Sequence, residues 1–192
     1  AHPAHPASGV RAEDLRWRGW RSPARALVLL VDASGSVAGR PLTTAVTTAG
    51  ALAAGLGPDD ELAVVAFWSR AVVLRHLHSP APASSVLDAL LDLRGGSTTD
   101  LALGLRTALR QATSARAPHA DVLVLTDGAW NAGDDPVPVA GSAGAARVHT
   151  LVTVDDDEAR ATCARVAAAR GGRSVPLRRP SDAPAAVRAL LR

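Results

Sequence analysis

Apolar residues along this chain are grouped into six short runs that have the length of buried strands. The runs are rich in Val and Leu and are bounded by Gly, Pro, Ser or Asp, which favours strands. Only Ser69 and Arg70 separate the second run from the third, and this hairpin-length connection predicts an antiparallel pair. The predicted strands are Ala26–Val31, Leu62–Trp68, Ala71–Leu77, Asp121–Thr126, Val148–Val154 and Ser174–Leu177.

Between these runs, apolar residues recur at the three- to four-residue spacing of amphipathic helices. Asp155 and Glu158 resemble a capping box that opens the fourth of these helices. Continuous apolar strands that alternate with helices predict an α/β fold. We expect a three-layer, doubly wound, mostly parallel six-stranded sheet with one antiparallel edge strand and helices on both faces. The predicted helical segments are Leu42–Leu56, Val86–Leu91, Leu101–Ala112, Asp155–Gly171 and Ser181–Arg192.

The chain is predicted to hold one folded domain behind a short N-terminal extension. Its 192 residues, 47% of them hydrophobic, suffice for one good core. Residues 1–23 are expected to form a flexible linker and a short arm that contains Leu15-Arg16-Trp17-Arg18, and residues 24–192 the domain. No apolar run approaches the roughly 18 residues needed to span a bilayer. We therefore expect a soluble, cytoplasmic protein with no membrane partner.

Composition excludes several kinds of chemistry. Every basic residue is Arg, and Lys and Tyr are absent. A Walker A loop, a Schiff-base lysine and a Tyr/Lys dehydrogenase pair are therefore impossible. The net charge of +3 accompanies a high content of Ala, Gly and Pro. This combination favours a compositional bias over a nucleic-acid surface, and no aromatic-interleaved basic motif argues otherwise. Cys163 is the single cysteine, and its place on a helical stripe predicts a buried, inert thiol.

Two of the predicted strands end in an aspartate, at Asp32 and at Asp127. In an open parallel sheet, ligands bind at the carboxyl ends of the strands, where the strand order reverses. Two carboxylates at that edge would repel each other unless a cation joins them. Ser34 and Ser36 add hydroxyls within the turn after Asp32, and Thr99 follows a glycine pair just before a helix. An all-oxygen donor set favours Mg²⁺ or Mn²⁺ over Zn²⁺.

The order of these elements resembles the metal-ion-dependent adhesion site of the von Willebrand factor A family. The resemblance runs from about Ala24 to Arg192 and includes the strand–helix order and the edge hairpin. It implies that Asp32, Ser34, Ser36, Thr99 and Asp127 hold one divalent cation, directly or through water. The third element reads Gly-Gly-Ser-Thr-Thr-Asp where the family more often has Gly-Gly-Thr, so Thr98 is the alternative to Thr99.

The same resemblance implies a function. Within the family, the segment Val31–Ser36 and the Arg-rich stretch before the domain are most similar to bacterial intracellular members, such as the D subunits of magnesium and cobalt chelatases. Such domains work with AAA+ ATPases. The resemblance therefore implies a non-enzymatic module whose cation captures an Asp or Glu of a protein partner, with an AAA+ ATPase as one candidate partner.

One alternative function and one partner contact remain open. A metal-dependent hydrolase or phosphotransferase would use the same two strand-end aspartates. However, Ser34 stands where haloacid-dehalogenase-like phosphatases have their second aspartate. No Gly-x-Ser-x-Gly elbow is present either. Trp130, three residues beyond Asp127, is a candidate for partner binding, although a tryptophan packed in a loop fits the sequence equally well. Asp155, Asp156 and Asp157 are interpreted mainly as charges that complement a helix dipole.

Overall fold

One six-stranded sheet organises the computed structural model, which describes residues 24–35, 40–82, 85–93 and 95–191. The strand order is β3-β2-β1-β4-β5-β6. Every neighbouring pair is parallel except β2 with β3. The predicted fold class, including the antiparallel edge strand, is confirmed. The strands are β1 (Arg25–Asp32), β2 (Glu61–Phe67), β3 (Ala71–Arg75), β4 (His119–Thr126), β5 (Arg147–Val152) and β6 (Ser174–Pro176).

Helices cover both faces of the sheet and divide the core into two layers. The helices are α1 (Arg40–Gly55), α2 (Ser85–Leu91), α3 (Leu101–Thr113), α4 (Pro136–Gly141), α5 (Asp157–Ala168) and α6 (Ala183–Leu190). Side chains alternate along β1, so that Val28 and Leu30 face α3, α4 and α5, whereas Leu27 and Leu29 face α1, α2 and α6. All of β1 except its ends is buried, as expected for a central parallel strand.

The helix boundaries differ from the predicted ones in two instructive places. Helix α4 was not predicted, because a six-residue helix is too short to show a periodic stripe. Its start is nevertheless encoded locally, since Asp135 accepts a hydrogen bond from the N–H of Val137 and Pro136 occupies the first turn. The capping-box pattern predicted Asp155 as the N-cap of helix α5. The N-cap is instead the next residue, Asp156, whose side chain accepts a hydrogen bond from the N–H of Ala159.

A buried ionic network ties the amino ends of β4 and β5 together. The Asp121 carboxylate, 3% exposed, accepts from Nε and Nη2 of Arg147 at 2.8 and 3.1 Å. The His149 ring lies 3.4 Å away from it through Nε2. Nδ1 of His149 accepts from the N–H of Arg173, which places the ring hydrogen on Nε2, facing Asp121. The buried polar atoms of Asp121 and His149 therefore all have partners, as core positions require.

Two sequence predictions fall outside the described residues. They are the N-terminal extension, residues 1–23, and Ser36 in the turn after β1. Among the helices of the described residues, none combines the length and the apolar character needed to cross a membrane.

Candidate metal site

The strand order reverses between β1 and β4, and the predicted aspartates meet at that point. Val31 is paired with Leu125, so Asp32 lies beside Thr126 and one residue from Asp127. From β1 the chain continues to β2 on one side, whereas β4 and β5 extend the sheet on the other. Such a switch point leaves a crevice at the carboxyl ends of the strands, because the connecting segments diverge there.

The Asp32 carboxylate is held on both of its oxygens. Oδ1 accepts from the N–H of Ser34 at 2.9 Å and from its hydroxyl at 2.6 Å. Oδ2 accepts from the hydroxyl of Thr126 at 2.8 Å, and that hydroxyl in turn accepts from the N–H of Gly128 at 3.0 Å. Since Ser34 donates its hydrogen to Asp32, its oxygen lone pairs stay available for a cation. The carboxylate is thus fixed in orientation without being enclosed.

The turn after β1 is joined to the glycine-led loop that precedes α3. Ser34 forms a parallel bridge with Gly96, and the N–H of Gly35 donates to the carbonyl of Gly96 at 2.6 Å. Gly35 adopts a φ of +81°, a conformation that side chains with a Cβ rarely take. A Cβ on Gly96 would lie 2.8 Å from Cδ1 of Trp68, so this glycine lets the loop approach the end of β2.

The same loop is joined to the loop after β4. The N–H of Thr99 donates to Oδ1 of Asn131 at 2.9 Å, and the carbonyl of Thr99 accepts from the N–H groups of Asn131 and Ala132. Thr99 is buried and Thr98 half-buried. Asn131 and Thr126 were not among the predicted site residues. The Asx-type pattern Trp-Asn-Ala-Gly was the available signal for Asn131, and the Thr-Asp-Gly triplet was the signal for Thr126.

Electrostatics at the two aspartates favour a bound cation. Burial raises the pKa of Asp32. The hydrogen bonds from Ser34 and Thr126 oppose this rise, and the charge of Asp127 adds to it. The charges of the same two carboxylates also act on the thiol of Cys163, which lies on helix α5. Burial, with the charges of Asp127 and Asp32, raises the pKa of Cys163 to about 12. A divalent cation beside Asp32 would offset both the burial and the Asp127 charge that raise the pKa of this carboxyl group.

The donor atoms fit a hard divalent cation. A cleft of about 270 Å³ is lined by Asp32, Ser34 and Asp127, together with Thr44 from α1 and Arg178 beyond β6. Among residues 24–35, 40–82, 85–93 and 95–191, no three His, Cys, Asp or Glu side chains form a ligand set. Carboxylate and hydroxyl oxygens of the kind predicted would therefore have to supply the shell, and these are the ligands that Mg²⁺ and Mn²⁺ prefer.

Exposed apolar side chains flank the cleft. Trp130 and Val154 are each 38% exposed, and they follow β4 and β5 at the same edge of the sheet. Trp130, the predicted partner contact, therefore stands at the surface rather than in the core. Asp155 and Asp157 both form ion pairs with Arg160, and Asp156 caps α5, so the three aspartates serve the start of that helix.

Comparison with known proteins identifies a family. Residues 26–171 match the model of the von Willebrand factor type A domain. An uncharacterised protein of Synechocystis sp. is 30% identical over 110 residues, which cover 57% of this chain and 26% of that protein. The chain thus spans about a quarter of the length of this curated relative.

Solved structures share the fold at low sequence identity. A von Willebrand factor type A protein from Catenulispora acidiphila superposes with a TM-score of 0.75 at 19% identity, over 88% of this chain and 42% of that one. Proximal thread matrix protein 1 from the mussel byssus, with a zinc-occupied MIDAS motif, gives 0.67 at 16% identity, over 88% and 47%. The manganese-loaded TRAP protein of Plasmodium vivax gives 0.67 at 20% identity, over 88% and 74%.

Proposed function

This chain belongs to the von Willebrand factor type A domain family, and we propose that it is a divalent-metal-dependent protein-binding module. In this proposal the cation is held by Asp32, Ser34, Ser36, Thr99 and Asp127, and it captures an Asp or Glu side chain of a protein partner. The module itself has no catalytic role. An AAA+ ATPase or a chelatase-like assembly is the partner class that the sequence resemblance favours.

One observation carries the proposal: two carboxylates converge where the strand order reverses. Asp32 and Asp127 follow neighbouring parallel strands, and the hydroxyls of Ser34 and Thr126 fix the orientation of Asp32. The charge of Asp127 adds to the cost of keeping Asp32 ionised, and a nearby positive charge would offset that cost. Ser34 forms a β-bridge with Gly96, and the N–H of Thr99 donates to the side chain of Asn131. These contacts join the three segments that carry the proposed ligands.

The likeness to zinc- and manganese-loaded relatives supports a divalent ion as the cofactor. Mg²⁺ or Mn²⁺ is proposed because the donors are oxygens. When bound, the cation supplies a Lewis-acidic position for a carboxylate oxygen. The chain orients Asp32 through Ser34 and Thr126, and it leaves the cleft open to the surface beside Trp130 and Val154.

The cofactor is tested by titrating Mn²⁺ and Mg²⁺ into the protein by calorimetry and by following thermal unfolding. At a cation concentration of about 100 times Kd, the native state gains about 2.7 kcal/mol. For a domain of this size, that gain corresponds to a rise in Tm of about 5–10 °C. Asp127→Asn should lose this rise, whereas Asp88→Asn, which removes an equal charge on α2, should keep it. Equal rises in both variants would contradict the site.

Partner capture is tested separately with N-acetyl-aspartate amide as a carboxylate probe. Its binding should require Mn²⁺ and should disappear with EDTA. Binding that survives EDTA would argue against metal-bridged recognition. Turnover of generic phosphate or ester substrates that is lost in Asp32→Ala would instead support the hydrolase alternative.

A further inference from the structure

A second cleft lies beside the metal site, on the side of Trp130. It has a volume of about 290 Å³ and is bounded by the loop after β4 and by the first turns of α5. Apart from Trp130, Asp156 and Glu158, the residues that line it are small, so one indole and two carboxylates determine its polarity and charge. The lining residues are Gly128, Ala129, Trp130, Asp156, Glu158, Ala159 and Thr162.

The charges around this cleft are not equivalent. Asp155 and Asp157 share ion pairs with the single Arg160, which offsets one of their two charges. Asp156 uses one oxygen to cap α5. The side chain of Glu158 is exposed, and its carboxylate makes no hydrogen bond or ion pair with any residue that the structure describes. The cleft therefore carries net negative charge, although the whole chain has a formal charge of +3.

The indole of Trp130 supplies a second feature that suits a cation. Four large hydrophobic residues are exposed in the described part of the chain, and two of them, Trp130 and Val154, lie at this edge of the sheet. The face of a tryptophan attracts cations through its ring quadrupole. A planar guanidinium can stack on an indole and pair with a carboxylate at the same time, which an ammonium group does less well.

We propose that this cleft binds an arginine side chain of the partner, between the Trp130 indole and the Glu158 carboxylate. The inference deepens the proposed function, because it names a second group in the segment whose acidic side chain would be held at the metal site. Trp130 is the third residue after Asp127, and this stretch spans at most about 11 Å when extended. The acid and the arginine of the partner should therefore lie within about four residues of each other.

The arginine cleft is tested without metal, so that it does not depend on the first site. N-acetyl-arginine amide is titrated into ¹⁵N-labelled protein in EDTA, and the indole N–H signal of Trp130 is followed. Glu158→Gln should weaken binding by about two- to fivefold. Trp130→Ala, followed through the Glu158 and Ala159 amide signals, should weaken it by about three- to tenfold. Matched controls are Asp88→Asn for charge and Val72→Ala for an exposed apolar side chain, and both should bind as wild type does.

The uncharged isostere N-acetyl-citrulline amide should not bind. Equal binding of citrulline and arginine, or equal affinities of wild type and Glu158→Gln, would overturn the proposal. Failure of Trp130→Ala to fold would be detected in its ¹⁵N–¹H spectrum, and the comparison of wild type with Glu158→Gln then decides the test.

A linked probe connects the two sites. With Mn²⁺ present, the peptide acetyl-Asp-Gly-Gly-Arg-amide should bind more tightly than its citrulline counterpart, and Glu158→Gln should reduce the difference by about two- to fivefold. If arginine amide binds the cleft while aspartate amide ignores Mn²⁺, the metal-bridged function fails and the cleft stands. If aspartate amide needs Mn²⁺ while citrulline and arginine peptides bind equally, the cleft fails and the function stands.

Discussion

The hydroxyl of Thr126 connects the sheet to the proposed metal site, and its removal tests how that site is built. Thr126→Val keeps the shape of the side chain, which is buried on β4, and removes one oxygen. Two hydrogen bonds are lost: the one donated to Oδ2 of Asp32 at 2.8 Å and the one accepted from the N–H of Gly128 at 3.0 Å.

The expected cost follows from these two bonds. A hydrogen bond to a charged group contributes about 1.5–3 kcal/mol, and a buried N–H left without a partner costs about 1–3 kcal/mol. Because the two losses share one oxygen, we expect about 3 kcal/mol of destabilisation, or a fall in Tm of about 6–12 °C. Loss of a group that orients a metal ligand typically weakens metal affinity by about 10- to 100-fold.

Thr150→Val is the matched control. Thr150 is a buried threonine on the neighbouring strand β5, and its hydroxyl makes one neutral hydrogen bond, to the carbonyl of Cys163 at 3.2 Å. We expect about 1 kcal/mol of destabilisation and unchanged metal affinity. Urea unfolding gives the stabilities, and calorimetry with Mn²⁺ gives the affinities. Thr126→Ser should restore the affinity. If Thr126→Val binds Mn²⁺ within twofold of Thr150→Val, Thr126 does not orient Asp32.

Two further predictions concern buried groups away from the cleft. Burial raises the pKa of Asp121, but the hydrogen bonds and charges of His149 and Arg147 outweigh it and hold the pKa below its ordinary value of 3.8. A lowered pKa stabilises the fold above that value, and the gain is lost as the pH falls. Asp121→Asn should therefore cost about 1.5–3 kcal/mol at pH 7, because hydrogen bonds to a charged group are lost. The difference between the urea midpoints of variant and wild type should shrink as the pH falls below about 4, and a difference that stays constant down to about pH 2 would contradict this account. Cys163 is buried and has a pKa raised to about 12, so a thiol-specific disulfide reagent at pH 8 should label it only after unfolding; rapid labelling of the native protein would refute the prediction.

The fold was readable from sequence because its strands are short, continuous and apolar. Each predicted strand corresponds to an observed one, with ends displaced by at most two residues. The run at Ala71 ends earlier than predicted, because the N–H of Ser79 donates to the carbonyl of His76 and the chain turns there. The pattern of apolar residues does not reveal this turn, because Leu77 is apolar and buried although it lies outside the strand.

The site was readable only in part. The strand-end positions of Asp32 and Asp127 followed from the sequence, because both aspartates come directly after apolar runs. The roles of Thr126 and Asn131 did not follow, since each acts through a hydrogen bond to a residue distant in the chain. The sequence also marked Asp155, Asp156 and Asp157 as one charged group, but their different partners distinguish them. The sequence did not distinguish Glu158 from these aspartates, because its position in the cleft depends on the packing of α5 beside Trp130.

The hydrogen bonds between the loops of the proposed metal site also have a consequence for folding kinetics. Thr126 and Asp32 are 94 residues apart in sequence, and Asn131 and Thr99 are 32 apart. Contacts of such long range form late, because the chain must first close large loops. The proposed cation site is complete only once β1 and β4 have paired, and an interaction that forms after the transition state acts mainly on the unfolding rate. A bound cation would lengthen the lifetime of the native state and leave the refolding rate almost unchanged.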